Sequence, residues 1–198
     1  MNILVAGATG KTGLRLVREL KSKGHNPIAL VRPSSDTSGL PSDIERRQGD
    51  LTELDDAVCD GCDAVVFAAG SGGSTGPEMT DKVDRDGAKS LIDIAGKAGV
   101  SRFVMLSSVG AGNPEDGGDL EHYLQAKHDA DEHLKASGLD YAILRPVRLT
   151  EEDGTGDMRF GDDVDVEASA ARGDVATALA RAVDDPDWSG RVALMQSV

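Results

Sequence analysis

The sequence predicts a single-domain α/β protein with a doubly wound parallel sheet and helices on both faces. Short apolar runs alternate with segments of helical periodicity along most of the 198 residues, which is the pattern of βαβ units. A glycine-rich loop joins the first apolar run to the first helix. The length suits one domain, and no repeat or linker divides the chain.

The first βα unit is the most clearly marked. The apolar run 2–6 predicts a buried strand, and the loop Gly7–Gly13 follows it directly. Apolar side chains then recur at helical spacing as far as Leu20, and Gly24 is a typical residue to end the helix.

The remaining elements follow from the same two periodicities. Strands are predicted at 27–31, 44–48, 63–69, 102–107, 141–144 and 191–196. Helices are predicted at 51–58, 80–97, 120–137 and 175–183. Residues 70–76 form a loop rich in Gly and Ser. Residues 149–170 are acidic with little periodicity, which indicates a surface excursion near the site or a partly ordered loop.

The charge balance excludes several classes of partner. The chain has 35 acidic and 21 basic residues, for a net charge of −14, which would repel nucleic acids and anionic membranes. Two cysteines cannot form a disulfide framework. The apolar runs are too short for a signal peptide or for the about 20 residues of a membrane span. We therefore expect a soluble cytoplasmic protein, as a monomer or small homo-oligomer.

The acidic residues have their own pattern. Asp supplies 25 of the 35 acids, and Lys only 8 of the 21 bases. This favours a halophilic protein, whose carboxylates keep the surface hydrated in concentrated salt. An ordinary acidic cytoplasmic protein is the alternative.

The glycine loop predicts a phosphate-binding site. Gly7 permits the tight turn, Gly10 allows a pyrophosphate to approach the backbone, and Gly13 allows the helix to pack closely. Phosphates would meet free N–H groups at the helix N-terminus. A Walker loop is excluded by the spacing, and a tight turn without a ligand is the alternative. The predicted contacts in this loop are Gly7, Thr9, Gly10, Lys11, Thr12 and Gly13.

The end of the second strand indicates which dinucleotide binds. An acid there would bind the ribose of NAD, but this chain has Arg32, with Ser34 and Ser35 close behind. Arg32 can make two hydrogen bonds to a phosphate, and the serine hydroxyls add donors. We therefore expect NADP(H) to be preferred over NAD(H), unless Arg32 is merely a solvated arginine. Asp50 would bind an adenine amino group or cap the helix that follows it.

A Ser, Tyr and Lys set predicts carbonyl chemistry. Ser107 and Ser108 end the fifth strand, where ligands of open α/β sheets bind. Tyr123 and Lys127 share one face of the next helix, on an apolar stripe with Leu120, Ala130 and Leu134. Tyr123 would be the acid/base, Lys127 would lower its pKa and hold the ribose, and Ser107 would orient the carbonyl, with Ser108 as its substitute. Alternatively, Tyr123 only packs and Lys127 only binds ribose.

These segments together resemble the short-chain dehydrogenase/reductase superfamily. They are most similar to its compact atypical members, the biliverdin IXβ reductase/flavin reductase-like and nitrogen-metabolite-repressor-like groups. The resemblance rests on 7–13, 31–35, 49–51, 67–70, 83–88, 102–108, 123–127 and 136–146. It implies one NAD(P)-binding Rossmann-like domain over 1–198, with a small substrate-side extension from about 146. It also implies cofactor contacts at Asp50, Leu51, Ala68, Ala69, Gly70, Ser107 and Lys127.

The predicted function is therefore an NADP-dependent oxidoreductase that reduces a small carbonyl, quinone or flavin-like compound by hydride transfer. A non-catalytic NADP-binding redox sensor or regulatory interaction protein is the alternative. An isomerase or dehydratase is a weaker third possibility, because the chain lacks the larger substrate domain of sugar-nucleotide epimerases. The acidic segment 149–170 would repel an anionic substrate.

Other chemical candidates are weaker. Cys59 and Cys62 form a C-x-x-C between a helix end and a strand start, which predicts ordinary semi-buried thiols. The four histidines have no metal-binding spacing, so no metal is expected. His122 could reach a site beside Tyr123. Arg145 and Arg148, near the sixth strand, could meet substrate or cofactor or form a structural salt bridge.

Overall fold

The computed structural model describes residues 1–72 and 75–198. Its centre is an eight-stranded sheet in the order β3-β2-β1-β4-β5-β6-β10-β8, in which only β8 runs antiparallel to its neighbour. The strands are β1 (Asn2–Ala6), β2 (Asn26–Val31), β3 (Glu45–Gln48), β4 (Ala64–Phe67), β5 (Arg102–Leu106), β6 (Tyr141–Pro146), β8 (Met158–Phe160) and β10 (Arg191–Ser197). A separate parallel pair joins β7 (Arg148–Thr150) to β9 (Ser169–Ala171).

Helices cover both faces of this sheet. They are α1 (Lys11–Ser22), α2 (Pro77–Thr80), α3 (Ala88–Lys97), α4 (Glu121–Ala136) and α5 (Arg172–Ala182), with a π-helical segment (Asp81–Gly87) between α2 and α3. Leu16 and Leu179 place α1 and α5 in the core of one face. Leu91 and Leu134 place α3 and α4 in the core of the other. The predicted doubly wound α/β fold is confirmed.

Two predicted segments differ in the structure. The predicted helix 51–58 is wrong, because only Asp56–Cys59 forms a 3₁₀ turn. The Asp50 carboxylate accepts hydrogen bonds from the Thr52 N–H and hydroxyl, and Asp55 accepts one from the Ala57 N–H, so local turns replace the helix. The excursion that follows β6 contains the short strands β7, β8 and β9.

None of the helices in the described parts of the chain is long and apolar enough to cross a lipid bilayer. Of the predicted glycine- and serine-rich loop 70–76, residues 73 and 74 lie outside the described residues.

Candidate functional site

The glycine loop is fixed by contacts that exclude side chains. Gly7 has φ +83°, and a Cβ atom on it would lie 2.7 Å from the Ala68 carbonyl group. A Cβ atom on Gly13 would lie 2.0 Å from the Gly7 carbonyl oxygen. The Gly10 N–H donates to that same oxygen at 2.9 Å, and α1 begins at the next residue, Lys11. The exposed backbone at Gly10 therefore opens directly onto a helix N-terminus.

A cleft of about 420 Å³ lies beside this loop. It stands at the carboxyl ends of β1 and β4, where the strand order reverses and ligands of open α/β sheets bind. Its lining among the described residues is Gly7, Thr9, Gly10, Leu30, Arg32, Ser35, Gly49, Asp50, Leu51, Ala68, Ala69, Gly70, Ser71, Thr75, Met79 and Val83.

Most of the predicted cofactor contacts are thus brought together. Six lining residues were not predicted from sequence: Leu30, Gly49, Ser71, Thr75, Met79 and Val83. Conversely, six predicted contacts are outside this lining: Lys11, Thr12, Gly13, Ser34, Ser107 and Lys127. A second, wider groove of about 680 Å³ shares Leu51 and Met79 with the cleft, but the glycine loop does not line it.

The residues predicted to select the dinucleotide include Arg32 and Ser35, which line the same cleft as the glycine loop. The Arg32 side chain is exposed, and its backbone N–H donates to the Ser35 hydroxyl at 3.1 Å. Asp50 faces the same cleft while its Oδ1 holds the turn at Thr52. The Thr52 N–H hydrogen bond is the main reason that the pKa of Asp50 lies below its ordinary value, and the Arg32 charge contributes. Arg32 and Ser35 therefore offer a cation and a hydroxyl to the cleft.

Lys11 and Thr12 have other partners. The Lys11 Nζ lies 2.8 Å from Glu151 Oε1, and this hydrogen bond is the main reason that the pKa of Glu151 lies below its ordinary value. The Thr12 hydroxyl is buried and accepts a hydrogen bond from Arg172 Nη1 at 2.9 Å.

Ser107 is committed to a buried carboxylate. Its hydroxyl donates to Asp131 Oδ2 at 2.8 Å. Arg145 donates to the same oxygen through Nε and Nη2, at 3.0 and 2.9 Å. Burial raises the pKa of Asp131 although Arg145 opposes it. Because its proton points to Asp131, the Ser107 hydroxyl is less available as a donor than that of the partly exposed Ser108.

Lys127 lies inward, as predicted, with 3% of the residue exposed. Its Nζ is 2.9 Å from Asp84 Oδ1 and 3.5 Å from the Ala69 carbonyl oxygen, and 5.8 Å from the centroid of the Tyr123 ring. Burial disfavours the ammonium, but its electrostatic interactions with the Tyr123 phenol and the Asp84 carboxylate prevail, and the pKa of Lys127 lies above its ordinary value. Asp84 also accepts a hydrogen bond from the Ser71 N–H, which fixes the loop after β4.

Sequence reasoning missed Asp84 and Asp131. A signal was present, because each acid lies on an otherwise apolar helical stripe: Asp84 is seven residues before Leu91, and Asp131 is three before Leu134. An acid on a buried stripe needs a partner. The predicted stripe of α4 is wrong at its start, since Leu120 is 59% exposed.

The cysteines and His122, the weaker candidates from the sequence, have contacts that suit a structural role. Both cysteines are buried, and burial raises the pKa of the Cys59 thiol to about 12, so it is a poor nucleophile. His122 Nε2 lies 3.1 Å from Asp81 Oδ1. Within the described residues, no cluster of three or more His, Cys, Asp or Glu side chains could hold a metal ion.

A doubly wound sheet with a glycine-loop cleft at its switch point defines a dinucleotide-binding protein of the Rossmann class. The profile of the NAD(P)H-binding family matches residues 7–186. The chain belongs to this family, and its predicted resemblance to compact atypical short-chain dehydrogenases/reductases is confirmed.

The chain is also similar to individual named proteins. The chain is 38% identical to YhfK of Bacillus subtilis strain 168, named an uncharacterized sugar epimerase, over 96% of this chain and 92% of YhfK. A structure from Bacillus halodurans, provisionally named an NAD-dependent epimerase/dehydratase, matches with TM-score 0.94 and 39% identity over 100% of this chain and 94% of that one. The oxidoreductase ylbE from Lactococcus lactis matches with TM-score 0.88 and 31% identity, over 100% and 91%.

The site fits the group that this family binds. The glycine loop leaves backbone, rather than side chains, facing the cleft, as a pyrophosphate requires. The protein is thus an NAD(P)-binding protein with an oxidoreductase- and epimerase-like fold.

Proposed function

We propose that the protein is an NADP-dependent oxidoreductase that reduces a small carbonyl, quinone or flavin-like compound. The observation that carries the proposal is the position of Arg32 and Ser35 in the same cleft as the glycine loop. An exposed guanidinium beside a hydroxyl suits a phosphate monoester, which distinguishes NADP from NAD. When bound, the nicotinamide supplies the hydride. The name of the 31%-identical Lactococcus oxidoreductase supports this class.

Different residues of the chain would bind different parts of the cofactor. The glycine loop would hold the pyrophosphate, with Arg32, Ser34 and Ser35 at the 2′-phosphate and Asp50 and Leu51 near the adenine. Ala68, Ala69 and Gly70 would contact the cofactor at the end of β4, with Lys127 behind them at the Ala69 carbonyl and near the ribose.

Tyr123 would supply the proton. It is partly exposed, so it can reach a substrate oxygen, and it lies next to the Lys127 ammonium. Because the Ser107 proton is directed to Asp131, the Ser108 hydroxyl is freer to donate to the substrate oxygen. Quinone and flavin-like acceptors need less help from such donors than an aldehyde does.

Calorimetric titration with NADPH and NADH tests the cofactor assignment. The unmodified protein should bind NADPH more tightly, and Arg32→Ala should lose about tenfold in NADPH affinity with little change for NADH. Arg18→Ala, which removes an exposed arginine of α1, is the control. Equal losses for both cofactors in Arg32→Ala would contradict the 2′-phosphate assignment.

Replacing each of the two tyrosines by Phe tests the chemistry. Tyr123→Phe should lower turnover of an aldehyde with NADPH by about 100-fold or more, with unchanged NADPH affinity. Tyr141→Phe, at the start of β6, should behave like the unmodified protein. Retained turnover in Tyr123→Phe would exclude Tyr123 as the proton donor.

A redox sensor is the second candidate. Lys127 and Ser107 are both held in buried pairs with carboxylates, an arrangement that also suits a purely structural role. A sensor would bind NADPH and NADP⁺ but turn over neither an aldehyde, a quinone nor FMN. Turnover of any of the three would favour the oxidoreductase.

A further inference from the structure

We propose that Arg172 is a positioning residue for the glycine loop, held in place by Glu151; this rests on the proposed cofactor function. Arg172 is the first residue of α5 and is 159 positions after the end of the glycine loop at Gly13. Its contacts connect the excursion after β6 to the phosphate-binding end of α1.

Four side chains form a closed ring, which we call the loop ring: Lys11, Thr12, Glu151 and Arg172. Glu151 Oε1 is 2.8 Å from Lys11 Nζ and 3.3 Å from Arg172 Nε. Arg172 Nη1 donates to the Thr12 hydroxyl at 2.9 Å. Since Lys11 and Thr12 are neighbours in the chain, these contacts close on themselves.

The ring combines buried and exposed parts. Thr12 is 4% exposed and the Arg172 side chain 21%, whereas the side chains of Lys11 and Glu151 are 67% and 58% exposed. A single exposed ion pair contributes little, but a planar guanidinium that spans two partners fixes their separation. Arg172 is therefore the member that sets where Thr12 lies.

Arg15 makes a second connection between the same two segments. Its guanidinium donates to the carbonyl oxygens of Glu151 and Lys11, at 2.6 and 3.0 Å, and its Nε to Asp153 Oδ1 at 3.0 Å. Two arginines thus hold residues 151–153 against the first turn of α1. Because Arg15 binds the Glu151 carbonyl oxygen, it holds the backbone of the segment and not only its side chains.

The backbone on the other side of this segment is equally close. A Cβ atom on Gly173 would lie 1.6 Å from the Asp153 carbonyl oxygen. Gly154 has φ +81°, and the Gly156 N–H donates to Asp174 Oδ1 at 2.8 Å. Residues 151–156 are therefore held between α1 and the start of α5, so the backbone that carries the Glu151 side chain has a fixed position.

A fixed loop binds phosphate without first losing conformational freedom. The pyrophosphate is common to NADPH and NADH, so loosening the loop ring should weaken both cofactors equally. This separates a positioning role from that of Arg32, whose loss should affect only NADPH.

Titration of Arg172→Met with NADPH and NADH tests the proposal. The dissociation constants of both cofactors should rise together by about fivefold, with kcat nearly unchanged. Arg172→Lys should restore part of the lost cofactor affinity, because it keeps the positive charge. The recovery should be incomplete, because one ammonium reaches fewer partners than a guanidinium. Arg181→Met is the matched control. Arg181 is an exposed residue of the same helix, 3.8 Å from Asp185, and the affinities of this variant should not change.

Three outcomes would overturn the proposal. Unchanged affinities in a folded Arg172→Met protein would exclude the role, and loss for NADPH alone would make Arg172 a direct phosphate ligand instead. If Arg172→Met fails to fold, Glu151→Gln decides: it should weaken both cofactors equally and less strongly, and no change would refute the proposal. Failure of the unmodified protein to bind either dinucleotide would instead refute the proposed function beneath it.

Discussion

Gly13 and Gly96 both lie inside α-helices, but their surroundings differ. A Cβ atom on Gly13 would collide with the Gly7 carbonyl, whereas one on Gly96 would meet no atom of the described residues within 4 Å. Helix propensity favours alanine at both positions. Only the packing of α1 against the glycine loop makes a side chain at Gly13 unacceptable.

Gly13→Ala should therefore destabilise the protein by about 2 kcal/mol or more, because the loop must move away from α1. Gly96→Ala should stabilise it by about 0.5–1 kcal/mol. Urea unfolding of the two variants measures both effects. A Gly13→Ala variant as stable as the unmodified protein, with undiminished NADPH affinity, would contradict the role of this close contact.

At the scale of an element, the π-helical segment Asp81–Gly87 directs one carboxylate inward. Asp84 is 1% exposed and pairs with Lys127 on α4 while it accepts the Ser71 N–H. A π-helical turn is a rare element that often occurs at functional sites. Here it links α4 to the loop that lines the cleft.

Removing one partner of this buried pair should be costly. Asp84→Ala should lower the free energy of unfolding by about 3–5 kcal/mol, because the Lys127 charge stays buried without compensation. Asp84→Ala/Lys127→Met should lose less, since no charge is left behind. Glu78→Ala, which removes the exposed Lys82 pair nearby, should change stability by at most about 0.5 kcal/mol. Equal losses for the single and double variants would show that the charge is not the cause.

Several strands could be predicted closely from the sequence because of where they lie in the sheet. After a polar first residue, the strands β1, β2 and β5 are buried on both faces of a parallel sheet, so the rest of each is a continuous apolar run. The predicted helix 51–58 failed because Asp50 and Asp55 bond to nearby backbone N–H groups. The strands β7, β8 and β9 have three residues each, too few for a periodicity.

The candidate site divides in the same way. Glycine spacing and Arg32 predicted residues that line the cleft, because a phosphate loop depends on local geometry. The pairing of Ser107 with Asp131 and of Lys127 with Asp84 depends on how α4 and the π-helical segment meet the sheet. Such contacts between distant segments leave only a weak trace, an acid on an apolar stripe.

Across the whole molecule, the net charge is −14, and some of the acidic residues are paired with basic ones while others are not. Within the acidic excursion, Glu151 and Asp153 face Lys11, Arg15 and Arg172. These two carboxylates are neutralised by nearby cations, so the segment should repel an anionic substrate less strongly than its sequence predicts.

Unpaired surface carboxylates should make stability depend on salt. Raising KCl from dilute buffer to about 2 M should increase Tm by about 5 °C, because salt screens the self-repulsion of the acidic surface. The variant Asp119→Asn/Asp162→Asn/Asp163→Asn removes three exposed carboxylates and should gain less from salt. A Tm that falls as KCl is added would count against salt adaptation.

The loop ring joins residues about 160 positions apart, and this has a consequence for the order of synthesis. On the ribosome, β1 and the glycine loop emerge long before Glu151 and Arg172 exist to hold them. Contacts of such long separation form late in folding. A nascent chain halted before about residue 172 would expose the glycine loop without its support, so dinucleotide affinity should develop only once α5 is made.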